Sequence, residues 1–204
     1  MFDLDGTLID SEKAICAAAS LAFRDVGLSV DEAAVADHLG APLDELYSVF
    51  VADADHQRRS HFVSRYLHHH DEHPECDPPP LPGVSAGLSA LKARGLLLAV
   101  ATTKPTSRAA QQLRACGLFS LFGHVQGTDP PMKPKPAKDV VIAALAVLQT
   151  APSRAMMVGD TARDVGAARN AGTRAVVVAY GPHRLILAAK LGADHVLPSL
   201  ALLV

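Results

Sequence analysis

The sequence predicts an α/β protein: a doubly wound, mostly parallel, Rossmann-like sheet with an α-helical cap inserted near its start. Three observations predict it. After residue 83, short apolar runs alternate with helical stretches, as in a sheet whose strands are buried on both faces. Residues 11–80 carry helical periodicity and no confident strand. The proline-rich break Asp77-Pro78-Pro79-Pro80-Leu81-Pro82-Gly83 separates the two textures. The expected organisation is a core made of residues 1–10 and 81–204, with a helical cap over 11–80.

Phe2-Asp3-Leu4-Asp5 reads as the end of a buried strand that Gly6 breaks. Only Met1 and Phe2 precede Asp3, against about 5–6 residues in a usual strand. The strand is therefore short here or begins upstream. Ser11 can cap a helix carrying Ala14, Ile15, Ala18, Leu21 and Ala22 at helical spacing, with Gly27 ending it. Asp31 opens another helical stretch to Leu39. Leu43, Leu46, Tyr47 and Phe50 form an apolar stripe, and a further helix over 55–73 turns Phe62 and Tyr66 inward.

Beyond the proline run, a helix over 84–94 closes at Gly95. Leu96-Leu97-Leu98-Ala99-Val100 reads as a strand buried on both faces. A helix over 106–116 closes at Gly117, and 124–127 is a short strand. Then come a helix over 137–148, a strand over 155–158, a helix over 162–171 stopped by Gly172, and a strand over 175–178. Residues 185–191 are helical and His195-Val196-Leu197 is a last short strand.

Composition narrows the function classes. With 204 residues, 49% of them hydrophobic, the chain can bury a full core and one further small domain. A formal charge of −2 leaves no electrostatic footprint for nucleic acid, so a small-molecule substrate is expected. The three cysteines, Cys16, Cys76 and Cys116, form no CxxC pair. They fit a reducing cytosol, and with no leader pattern or membrane-length apolar run a cytoplasmic protein is expected. A monomer or homodimer is expected.

The polar residues that end the strands point to chemistry. Asp3 and Asp5, at i and i+2, share one side of a strand, and a bend at Gly6 lets them converge. Two such carboxylates repel unless a cation or a shared proton relieves them. A hard divalent cation, Mg²⁺, suits an all-oxygen set. Thr102 and Thr103 end the next strand, and Gly159 and Asp160 end the 155–158 strand. In doubly wound sheets ligands bind beyond those carboxyl ends. In the helical region, adjacent histidines His68, His69 and His70 point in different directions, so a solvated helix is the better reading there than a metal cluster.

Four motifs, in chain order, resemble those of the haloacid dehalogenase superfamily. Asp3-Leu4-Asp5-Gly6-Thr7-Leu8 resembles the first. Val100-Ala101-Thr102-Thr103-Lys104 resembles the second, with Thr103 where many phosphoglycolate phosphatase relatives have Asn. Met132-Lys133-Pro134-Lys135-Pro136 resembles the third, and Gly159-Asp160-Thr161-Ala162-Arg163-Asp164 the fourth.

The resemblance implies a phosphatase in which Asp3 is the nucleophile and Asp5 the general acid and base. It implies Mg²⁺ at Asp3, the Asp5 backbone carbonyl and Asp160, with Asp164 behind them holding a metal-bound water or the lysine. Thr102, Thr103 and Lys133 hold the phosphate. The family spacing assigns Lys133 as that lysine and leaves Lys135 and Lys138 to solvent. His38, on a cap loop, and Lys104 are candidates for substrate contact. The expected substrate is a small phosphorylated metabolite, resembling phosphoglycolate or a sugar phosphate, with the cap closing to exclude water and to select it. Asp5 sets the chain apart from dehalogenase and phosphonatase members, which lack that second carboxylate. A hexose-phosphate mutase similar to β-phosphoglucomutase shares every motif and is the alternative. A phosphate-binding protein without turnover is a second, against which stand both Asp3 and Asp5.

Overall fold

The structure, a computed structural model, describes residues 1–52, 55–73 and 76–203. The chain divides into two compact units, Ser11–Pro78 and Met1–Asp10 with Pro79–Val204.

The first unit is helical. It contains α1 (Glu12–Asp25), α2 (Glu32–Ala36), α3 (Leu43–Phe50) and α4 (His56–Glu72). Asp31 caps α2 by accepting from Ala34 N, and Asp55 caps α4 by accepting from Gln57 N and Arg58 N, so donors that a helix leaves unpaired are satisfied. Ala18, Ala19 and Ala22 of α1 share one apolar cluster with Phe23 of the same helix and with Tyr47 and Phe62, the three rings fully buried. The ring centroids of Phe23 and Phe62 lie 4.4 Å apart, and those of Tyr47 and Phe62 5.4 Å. The histidine run of α4 departs from the solvated helix expected of it. His70 is buried beside Tyr66, and His69 Nε2 lies 2.7 Å from Asp25, which also takes Arg65.

The second unit holds α5 (Val84–Ala93), β1 (Ala99–Ala101), α6 (Thr106–Ala115), β2 (His124–Gln126), α7 (Asp139–Val147), β3 (Met156–Gly159), α8 (Ala162–Ala171), β4 (Arg174–Val178), α9 (Pro182–Ala188) and β5 (His195–Leu197). β1 pairs parallel with β2, and β3–β4–β5 pair parallel in that order. The amino-terminal segment joins the two groups. Phe2 bridges in parallel to Val100 on one side and Val158 on the other, so the residues leading to Asp3 run through the middle of the sheet. Alternate strand residues feed two apolar layers. Ala99, Ala101, Met157, Ala175 and Val177 meet α7 and α8, whereas Val100, Val158, Val176 and Val178 meet α5 and α6.

The expected 96–100 strand starts later than its apolar run. Leu96 and Leu97 are 51% and 63% exposed, and pairing begins at Ala99, opposite His124. Leu96 N closes the end of α5 by donating to Leu91 O, so those two leucines belong to the helix exit. The helix expected over 185–191 begins earlier, at Pro182, a residue suited to a first helical turn.

Candidate active site

Four pieces of the second unit meet at the carboxyl edge of the sheet: the turn after Asp3, the loop after β1, the loop before α7, and the β3–α8 turn. Asp3, one residue past the bridged Phe2, is 4% exposed. Asp160 follows β3, and Asp164 sits in the first turn of α8. Carboxylate oxygens of Asp3, Asp160 and Asp164 all lie within 4.8 Å of one another.

Local sequence makes this approach feasible. Gly6 has φ +72°, and a Cβ there would lie 2.4 Å from Asp160 Oδ2. A Cβ on Gly159 would lie 2.1 Å from Asp164 Cγ. Thr7 Oγ1 donates to Asp160 Oδ1 at 2.9 Å, and Tyr180 Oη donates to Thr7 O at 3.1 Å. Asp164 Oδ2 accepts from Thr161 N at 3.0 Å and Thr161 Oγ1 at 2.7 Å, which ties the start of α8.

The lysine that serves this cluster is Lys135, and the assignment of Lys133 is corrected. Lys135, 1% exposed, places Nζ 2.7 Å from Asp3 Oδ1 and 2.6 Å from Asp164 Oδ1. Helix α8 grips its segment: Arg163 donates to Lys135 O, Asn170 donates to Pro136 O, and Gly166 leaves room for the Pro136 ring. Lys133 is exposed, and its backbone N–H lies 3.0 Å from Asp139 Oδ2 at the start of α7. The motif holds two Lys-Pro pairs two residues apart. What separates them is the contact of Pro136 with Gly166 on α8, which the motif itself does not carry.

The remaining candidates divide. Thr102 is buried directly after β1, where its N–H donates to Gln126 O and its Oγ1 accepts from Lys104 N at 3.3 Å. Thr103 is half-buried beside it. The Asp5 carboxylate is not in the three-acid cluster, and its Oδ1 accepts from Lys104 Nζ at 2.8 Å. His38 lies in the helical unit, its ring edge-on to Phe50 at 5.6 Å. Arg184, on α9, reads from sequence as a surface helix charge, and its guanidinium lies 4.0 Å from Asp160 Oδ2.

The electrostatics of the cluster follow from crowding. Burial pushes the Asp3 carboxyl up to about 6; Lys135 opposes this and Asp164 adds to it. Asp160 is raised well above the usual carboxylate range, by burial first and then by Asp164 and Asp3. Burial works against the Lys135 ammonium, but Asp164 and Asp3 outweigh it and hold its pKa above the usual value. Three carboxylates share one buried ammonium, so the set lacks positive charge. Among the described residues the buried Asp3 Oδ1 has no hydrogen-bond partner, only the ion pair with Lys135. An all-oxygen, charge-deficient set of this kind fits a hard divalent cation such as Mg²⁺.

The family model for haloacid dehalogenase-like hydrolases matches residues 1–178. The chain belongs to this family. Among relatives of this haloacid dehalogenase-like hydrolase, "Probable phosphatase IndB" of Dickeya dadantii is 35% identical over 90% of this chain and 81% of its own. The phosphoglycolate phosphatase of Chromobacterium violaceum is 34% identical over 98% of this chain and 91% of its own. Among solved structures, "a predicted phosphatase from Clostridium acetobutylicum" superposes with a TM-score of 0.87 at 27% identity, covering 99% of this chain and 94% of that one. Haloacid dehalogenase-like relatives of the phosphoglycolate phosphatase branch thus match both units. Among the described residues no helix is long and apolar enough to cross a membrane.

Proposed function

We propose that this enzyme, a phosphoric monoester hydrolase of the haloacid dehalogenase-like family, is a Mg²⁺-dependent phosphatase acting on a small phosphorylated acid such as phosphoglycolate, through an aspartyl-phosphate on Asp3. The observation that carries the reading is the buried Asp3 carboxylate, held by Lys135 and crowded by Asp160 and Asp164. The phosphoglycolate phosphatases among its relatives support the choice of substrate.

Asp3 attacks phosphorus, forming an O–P bond as the bond to the leaving alcohol breaks. Asp5 gives that alcohol a proton. Asp5 then takes a proton from water, whose oxygen bonds phosphorus while the bond to Asp3 breaks and returns its electron pair to the carboxylate. Lys135 keeps Asp3 in place and offers positive charge to the transferring oxygens. Thr102, at the mouth of β1, is assigned to the same phosphoryl group. Asp3, Asp160 and the Asp5 backbone carbonyl would hold Mg²⁺, with Asp164 behind them on Lys135; the ion would supply charge that lets an anionic nucleophile approach an anionic ester.

Phosphate release should be measured with Mg²⁺ over a panel of phosphorylated acids, sugars and nucleotides. Release from phosphoglycolate, lost by at least about 10³-fold in Asp3→Asn with the circular dichroism spectrum unchanged, is the expected result. Comparable turnover in Asp3→Asn would overturn the nucleophile. Interconversion of hexose phosphates without phosphate release would replace the phosphatase with a mutase.

A further inference from the structure

Lys104 does not point at open space for a substrate. Its Nζ is shared between Asp5 Oδ1, at 2.8 Å, and Gln112 Oε1 on α6. The Lys104 side chain is 11% exposed and Gln112 is buried. The backbone of Lys104 is pinned as well. Its N–H donates to Thr102 Oγ1, its carbonyl accepts from Thr128 N at 3.1 Å, and Pro105 restricts it to extended conformations. Gly127 packs against it, and a Cβ there would lie 2.3 Å from Lys104 O. This is a lysine whose root and tip are both fixed.

A fixed ammonium on one carboxylate oxygen has a chemical consequence. Lysine has three donors and no acceptor, so the oxygen it binds cannot also direct a proton toward it. When Asp5 is protonated, Oδ1 remains the acceptor for Nζ and the proton belongs on Oδ2. We propose that Lys104 is the positioning residue of the acid–base step: anchored by Gln112, it holds Asp5 so that Oδ2 alone gives the proton to the leaving alcohol and takes it back from water. The inference rests on the reading of Asp5 as the general acid and base, and it adds which residue orients that acid and which oxygen carries the proton. In the first half-reaction the bond from Asp3 to phosphorus forms, the bond to the leaving oxygen breaks, and the proton moves from Asp5 Oδ2 to that oxygen. In the second half-reaction the water proton returns to Oδ2.

A general acid matters in proportion to the basicity of the leaving group. The test is the dependence of kcat/KM on leaving-group acidity over aryl phosphates from p-nitrophenyl to p-methoxyphenyl, which differ little in bulk. The ratio kcat/KM reports the step that expels the phenol and excludes the later hydrolysis, which all substrates share. Lys104→Met should lose about 10–100-fold on the poorest leaving group and less than about threefold on p-nitrophenyl phosphate, so the dependence steepens. Gln112→Leu, which keeps the lysine but removes one of the two anchors of its ammonium, should steepen it in the same direction and by less.

Asp5→Asn separates the two claims. If Asp5→Asn does not steepen the dependence, the reading of Asp5 fails. If it does and Lys104→Met lowers every substrate equally, Lys104 is only structural or binds the phosphoryl group, and the inference is overturned. Should Lys104→Met not fold, Gln112→Leu decides alone: an unchanged slope there overturns the inference.

Discussion

Two lysines two residues apart, each followed by proline, have opposite fates. Lys133 faces solvent, and Lys135 lies under α8 against Asp3 and Asp164. Removing a charge that faces water costs little, whereas removing a buried one leaves its acidic partners facing each other. Lys135→Met should therefore lower kcat/KM for phosphate release by about 10²–10³-fold, and Lys133→Ala should stay within about twofold of the parent enzyme. Steady-state phosphate release on both variants checks the pair, and the reverse ranking would restore the lysine that sequence spacing assigns. The case shows where sequence reasoning stops. Asp3, Asp160 and Asp164 are legible because each follows a recognisable strand end or opens a helix. The choice of lysine is not, because it depends on whether Gly166 and Asn170, some 30 residues on, receive Pro136.

At the scale of elements, the strands and helices were legible wherever the deciding contact is local. Gly27, Gly95, Gly117 and Gly172 close helices in the left-handed conformation, each visible from its place after an apolar stretch. Strand ends were less legible, because pairing depends on a distant partner: Leu96 and Leu97 look like strand but have no residue of β2 beside them. The helical unit rests on packing that periodicity did reveal. Phe62 and Tyr66 turn inward on α4, and Phe62 is fully buried against Phe23 and Tyr47. Phe62→Ala leaves a cavity at the centre of this aromatic group and should cost the unit about 3–5 kcal/mol. An earlier urea transition in the helical circular dichroism signal is the expected observation; a transition within about 1 kcal/mol of the parent would place the unit's stability elsewhere.

For the whole molecule, the crowded acids tie stability to pH and to the cation. The Asp3 carboxyl sits near 6, above the ordinary 3.8, and Asp160 is raised in the same direction. Below the ordinary value both the folded and the unfolded chain hold these protons, and the groups are neutral in their effect. As pH rises past it, the unfolded chain releases protons that the folded chain keeps, so stability falls until the folded carboxyls ionise as well. Metal-free enzyme in a chelator should thus melt at a lower temperature at pH 7.5 than at pH 5. Mg²⁺ would bind only where these carboxylates are charged and assembled, so it should reverse the loss: at about 100 times its dissociation constant it would contribute about 2.7 kcal/mol. For a chain of this size that is about 5–10 °C in Tm at pH 7.5, fading toward pH 4 as the carboxylates protonate. Asp160→Asn removes one charge from the crowd and should raise the metal-free Tm at pH 7.5 while abolishing most of the Mg²⁺ shift. Calorimetry over that pH range, with and without Mg²⁺, checks both halves. A Mg²⁺ shift that is the same in Asp160→Asn would separate the cation from these acids.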